Sequence, residues 1–137
     1  MGLDMWINDD KGNELISWRK ANHIHKWFVD NIQNGNDDCG NGEIKNGYEV
    51  TIEKLMLLLD TINKVLGETD KEKMINHLLG AKFDIEKAEE LLPTQSGFFF
   101  GGTDYDEYYV DDLIRTKEFL DNLLPKLKGK VYYHSSW

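Results

Sequence analysis

At 137 residues the chain has the length of one ordinary domain, enough to bury a core without help from disulfides or metal. Its single cysteine, Cys39, excludes an internal disulfide and a cysteine-rich zinc site. A formal net charge of -9 argues against direct binding of nucleic acid or of an anionic membrane surface, and suits either a soluble enzyme or a decoy that imitates nucleic acid.

The opening residues MGLDMWINDD carry acids where a signal peptide needs a basic start, and no stretch approaches about 18 consecutive apolar residues. The expectation is a cytoplasmic protein with no membrane partner. Trp6 stands where a myristoylation signal beginning at Gly2 needs Ser or Thr. LDMWIND and NELISW flank Asp10-Lys11-Gly12, turn chemistry between apolar runs, which predicts two short strands in a hairpin.

From Arg19 the period changes. Ala21, Ile24, Phe28 and Ile32 recur at helical spacing, predicting a helix from about Arg19 to Ile32 that buries Ile24 and Phe28. Beside that stripe Trp18, Asn22, His25, Lys26 and Val29 form a second one, bordered by Arg19. An aromatic ring, an amide, an imidazole and two cations on one strip of helix suit a pocket for an anionic, planar ligand. The alternative is a half-buried core histidine flanked by solvated cations. His23 and His25 are two apart, so they point in different directions and lack the i, i+4 spacing of a zinc-binding helix. No metal site and no cofactor are expected.

The segment Asn34 to Gly47 is dense in Gly, Asn and Asp. In an EF-hand register starting at Asp37, Cys39 and Tyr48 fall where an oxygen donor and a bidentate Glu are required, so the segment reads as a loop whose glycines and asparagines allow left-handed turns. The acids beside Cys39 oppose thiolate formation. Thr51 can cap the next helix, with Ile52, Leu55, Met56, Leu59, Ile62 and Leu66 as its apolar stripe. A weaker helical stretch, DKEKMINHLL and then DIEKAEELL, is interrupted near Gly80 and stopped by Pro93.

LLPTQSGFFFGGTDYDEYY follows, from Leu91 to Tyr109. In an extended segment Phe98 and Phe100 face one environment and Phe99 the other, which describes a buried connector feeding a helix. No Walker lysine follows GFFFGG, which excludes a P-loop. Thr103 with Asp106, or Asp104 with Glu107, has capping-box spacing, and Tyr109, Leu113, Thr116, Leu120 and Leu124 carry one face of a long helix. Asp104, Glu107 and Asp111 share a helical face where carboxylates can act as acid and base or hold magnesium. They equally suit a first helical turn, with Asp111 pairing Arg115 at i+4. The chain closes on KVYYHSSW, a final strand, in which Ser135 and Ser136 near His134 lack any nucleophile-elbow motif. The fold class expected is α+β in one domain over 1–137: a small antiparallel sheet, N-terminal hairpin plus C-terminal strand, packed against three to five helices.

The combination of GLDM, WRKANHIHKWFV, DDCG, LLPTQSGFFFGGTDYDEYY and the terminal SSW resembles a family of small uncharacterised proteins encoded by bacteriophages and prophages. The likeness covers nearly the whole chain. It implies a setting rather than an activity: an accessory protein acting inside an infected or lysogenic bacterium, as such proteins often do against host defence. In the family pattern the helix reads WRKAN, one free position, then IHKWFV. His23 occupies the free position, which moves the expectation of a role from His23 to His25. The resemblance also implies that the polar stripe, the FFFG connector and Trp137 belong to one site.

Three functions follow as expectations. The first is a counter-defence protein that sequesters a nucleotide-like small ligand, using Trp18, Trp27 or Tyr105 for stacking and Arg19, Lys26 and His25 for phosphate. Asn22, Phe99, Asp104 and Trp137 complete that set. The second is an acidic inhibitor of a host nucleic-acid-binding defence enzyme. The third is a nucleotide-processing enzyme using His25 with Asp104 or Glu107. A binding protein without catalytic residues is the reading preferred.

Overall fold

A computed structural model describes residues 2–37, 47–66, 85–97, 100–105 and 107–136. The hairpin predicted at the N-terminus forms between β1 (Asp4–Asp9) and β2 (Glu14–Arg19). Its turn is closed by Asp9, whose carboxylate accepts from the backbone N–H groups of Lys11 and Asn13 at 2.9 and 2.8 Å. Those bonds hold the Asp9 pKa below its ordinary value, Asn13 contributing most.

The C-terminal strand β4 (Val131–Ser136) pairs antiparallel with the other edge of β1, and a short β3 (Tyr48–Val50) pairs antiparallel with β4, giving the order β2-β1-β4-β3. β3 is absent from the reading of the sequence because three residues are too few to show a period. Alternation along the strands sends Met5, Ile7, Ile16, Trp18, Val131, Tyr133 and Val50 to the buried face. There Met5 faces Trp18, and Ile7 faces both Ile16 and Tyr133 across the strands. On the other face Trp6 meets its cross-strand neighbour His134 edge-on at 4.8 Å.

The described residues include four α-helices, α1 (Asn22–Asn31), α2 (Ile52–Leu66), α3 (Ile85–Leu91) and α4 (Glu107–Leu123), whose buried side chains share one core with the inner face of the sheet. The small α+β fold is therefore as expected. None of these helices is long and apolar enough to cross a membrane.

α1 begins at Asn22, not Arg19: Trp18 and Arg19 lie on β2, so the second stripe read across Trp18 and Lys26 is not a strip of one helix. Lys20, between the two elements, takes a left-handed backbone with φ 57°, the bend that ends the strand and starts the helix. Ile24 and Phe28 are buried as expected, but so are Asn22, His23, His25, Trp27 and Val29. The sheet lies on one side of α1, where the Phe28 ring stacks on Tyr133 at 4.0 Å. α4 lies on the other, where the His23 ring meets Tyr109 at 4.2 Å.

α2 buries Leu55, Ile62 and Leu66 of the expected stripe, with Leu59 packed against the core, but the inward face is rotated away from Ile52 and Met56. Leu55, Leu58, Ile62, Val65 and Leu66 are buried, while Ile52 and Met56 are exposed. The run Leu57-Leu58-Leu59 is apolar all round, so contacts with α4 and α3 select the face. α4 buries Tyr109, Leu113, Thr116 and Leu120 as its period predicts. Its start at Glu107 leaves Thr103 and Asp104 in the preceding connector, so neither capping-box pairing spans its first turn as read. Asn34 and Gly35 supply the left-handed turn expected after α1. Cys39, the stretch 67–84, Phe98, Phe99, Asp106 and Trp137 lie outside the described residues.

Candidate functional site

Asn22, the first residue of α1, organises the connector between α3 and α4. Its amide N–H groups donate to the carbonyls of Phe100 and Gly102 at 2.9 and 2.8 Å, and its side-chain oxygen accepts from the Gln95 N–H at 2.8 Å. The connector closes on itself as well: the Thr94 hydroxyl donates to the Thr103 carbonyl, and the Thr94 N–H donates to the Tyr105 hydroxyl. The Tyr109 hydroxyl donates to the Leu92 carbonyl at 2.7 Å, and burial raises its pKa well above the usual tyrosine value. Phe100 is buried with its ring edge-on to His25 at 5.5 Å. One of the three phenylalanines is thus an anchor, and the other two lie outside the described residues.

The connector leaves a cleft of about 310 Å³ between the β2–α1 junction, the connector residues Thr94, Gly101, Gly102 and Asp104, and the first two turns of α4. Arg19 and Lys20 contribute cations. Asp104, Asp111 and Asp112 contribute carboxylates. Asn22, Thr94, Tyr108, Tyr109 and His23 complete the polar lining. Gly101, at φ 79°, lies against the Lys20 side chain: a Cβ there would come within 3.1 Å of the Lys20 Cβ. The backbone of the connector and the stem of Lys20 pack tightly at that point. A left-handed non-glycine residue at a cleft is a strained feature of the kind found at binding sites.

His23 sets this cleft apart. It is 3% exposed, it lines the cleft, and its Nε2 has no hydrogen-bond partner. Burial lowers its pKa from 6.5 to about 3, against the opposing pull of a backbone hydrogen bond at Tyr109. The ring is neutral at physiological pH, with one nitrogen unused.

Of the residues assigned to a ligand site from the sequence, Arg19, Asn22 and Asp104 come together in this cleft, joined by Asp111 from the carboxylate face read on α4. The rest are placed elsewhere. The Trp18 indole is buried and donates to the Thr116 hydroxyl at 2.8 Å, so its ring is a core contact. Trp27 is also core, edge-on to Phe28 at 5.2 Å. Lys26 forms an i, i+4 ion pair with Asp30 at 2.8 Å on the outer side of α1. Tyr105 packs its ring on Tyr109 at 5.0 Å and spends its hydroxyl on Thr94. Phe99 and Trp137 are outside the described residues.

His25 is the main correction. It is fully buried, with Nδ1 2.6 Å from the Tyr133 hydroxyl and Nε2 3.0 Å from the Asp37 carboxylate. It bridges the sheet to the loop after α1 and does not line the cleft, so no acid–base pair with Asp104 or Glu107 is assembled. The two histidines do point in different directions, as their spacing requires. The one facing the cleft is His23. The signal that could have found it is the charge content of α1: Lys26 and Asp30 are its only charged residues, so most of the helix circumference had to be enclosed and its polar side chains turned inward.

Asp111 and Arg115 do not pair. Among the described residues no group of three His, Cys, Asp or Glu side chains is arranged to hold a metal ion. Comparison of the chain with family models, curated proteins and solved structures returns no match.

Proposed function

We propose that the protein binds a nucleotide-like small ligand in the cleft beside His23. The observation that carries this reading is the buried, neutral imidazole with an unused Nε2. Buried polar groups in folded proteins nearly always have partners, and an unmade bond of this kind costs about 1–3 kcal/mol. A ligand that donates an N–H or O–H to Nε2 supplies the missing partner.

The surroundings narrow the ligand class. Lys20 and Arg19 suit a phosphate, the carboxylates of Asp104 and Asp111 suit sugar hydroxyls or a base amino group, and Tyr108, 73% exposed, offers an aromatic face for a planar ring. A simple inorganic anion satisfies the cations and none of the acids. A nucleotide is anionic and rich in donors at once. A volume of about 310 Å³ falls at the lower end of small-molecule sites, which run from about 300 Å³ upward. The resemblance to bacteriophage and prophage proteins supplies the biological setting of the proposal: sequestration of a nucleotide-type signal of host defence, without turnover.

The test is thermal unfolding with AMP, GMP, CMP, UMP and inorganic phosphate. A ligand at a hundred times its dissociation constant adds about 2.7 kcal/mol, a rise of several degrees for a domain of this size. Lys20→Ala should weaken binding about tenfold or more, the worth of one charged hydrogen bond. A panel with no shift rejects the reading, and a shift given in full by phosphate rejects its nucleotide part.

A further inference from the structure

Arg19 lines a second cleft as well as the first. This neighbour, about 460 Å³, opens beside the β1–β2 hairpin and is walled by Asp4, Trp6, Glu14, Ser17, Trp18, Arg19 and Arg115. Asp4 and Arg19 are cross-strand partners, yet their side chains are 3.9 Å apart and more than half exposed, a contact too long and too wet to neutralise the guanidinium. Arg115 forms no ion pair among the described residues. On α4 it lies one turn beyond Asp111, which lines the first cleft; one turn is about 5.4 Å of rise. Two cavities therefore share one arginine as their common wall, and an uncommitted arginine and the half-buried Trp6 ring stand in the farther one.

We infer that the two clefts are adjoining subsites for a single dinucleotide. One nucleotide occupies the His23 cleft, the bridging phosphate lies against Arg19, and the second nucleotide lies by Arg115 and Trp6. The inference rests on the nucleotide reading of the first cleft. The second cleft is open and lacks a buried polar floor, so a mononucleotide has little to hold it there. Tethering through a phosphodiester to a nucleotide already bound raises the local concentration of the second unit to about the millimolar range, enough for weak contacts to count. Asp4, Glu14 and Ser17 offer acceptors for its hydroxyl and amino groups.

Titration calorimetry of the full chain with AMP and GMP, with the linear dinucleotides pApA and pGpG, and with their cyclic 3′,5′ counterparts tests this. The dinucleotide carrying the preferred base, linear or cyclic, should bind at least about tenfold tighter than the mononucleotide. Arg115→Ala, a change at an exposed position, should remove that advantage and leave mononucleotide affinity within about twofold. Equal affinity for one and two units overturns the inference and leaves the single-cleft reading standing. A dinucleotide advantage untouched by Arg115→Ala, or an equal loss for both ligand lengths, overturns the assignment of the second subsite. Failure of every nucleotide to bind overturns the nucleotide reading of the first cleft, and this inference falls with it.

Discussion

His23 and His25 are two residues apart on α1, equally hidden from solvent, and chemically opposite. His25 has a partner at each nitrogen, Tyr133 on one side and Asp37 on the other. His23 has an unused, buried Nε2, and the residue lines the cleft. Burial does not separate a structural histidine from a binding one. The hydrogen-bond inventory does, because a satisfied polar group is part of the core and an unsatisfied one is a demand on something else.

The comparison predicts its largest effect at His25. His25→Ala removes a buried ring from between β4 and the loop after α1, and leaves the fully buried Tyr133 hydroxyl without its 2.6 Å partner. The expected cost is about 3–5 kcal/mol in chemical denaturation, with ligand affinity of the remaining folded protein unchanged. A loss of affinity at full stability would reverse the roles assigned to the two histidines.

The second effect is a pH dependence belonging to His23. Its folded pKa is about 3 against an ordinary 6.5, so between those values the unfolded chain holds the extra proton and stability falls as pH falls. From neutral pH to about pH 5 the contribution lost is about 2 kcal/mol. His23→Gln should flatten that part of the stability profile. Equal slopes in the wild type and the variant would mean that the ring titrates normally and is not enclosed as described. Asp9, whose pKa is lowered from the ordinary carboxylate value of 3.8, loses its contribution at more acid pH than the range from neutral to about pH 5.

The smallest effect separates the two lysines. Lys26 is committed to Asp30 in a partly exposed i, i+4 pair, so Lys26→Ala should change stability by less than about 0.5 kcal/mol and ligand affinity not at all. Lys20→Ala is the contrasting variant, losing the stem packed on Gly101 and, unlike Lys26→Ala, visible in binding. Equal binding by both variants would remove Lys20 from the recognition scheme.

The hairpin, the inward placing of Ile24 and Phe28, and the buried stripe of α4 from Tyr109 to Leu120 were legible in the order of residues, because turn chemistry and apolar period are local properties. So was the divergence of the two histidines, which follows from two steps of about 100° around a helix. Which of them would find a partner was not legible. The partners of His25 come from Tyr133 and Asp37, and the cleft facing His23 is walled by residues from the connector and α4, far along the chain. The bonds of Asn22 to Gln95, Phe100 and Gly102, the Trp18 indole on Thr116, the pairing of β3 with β4, and the face that α2 buries are of the same kind. Each joins segments whose proximity is set by packing of the whole chain, and a hydrogen bond is satisfied or left open only once that packing has brought donor and acceptor within about 3 Å of each other.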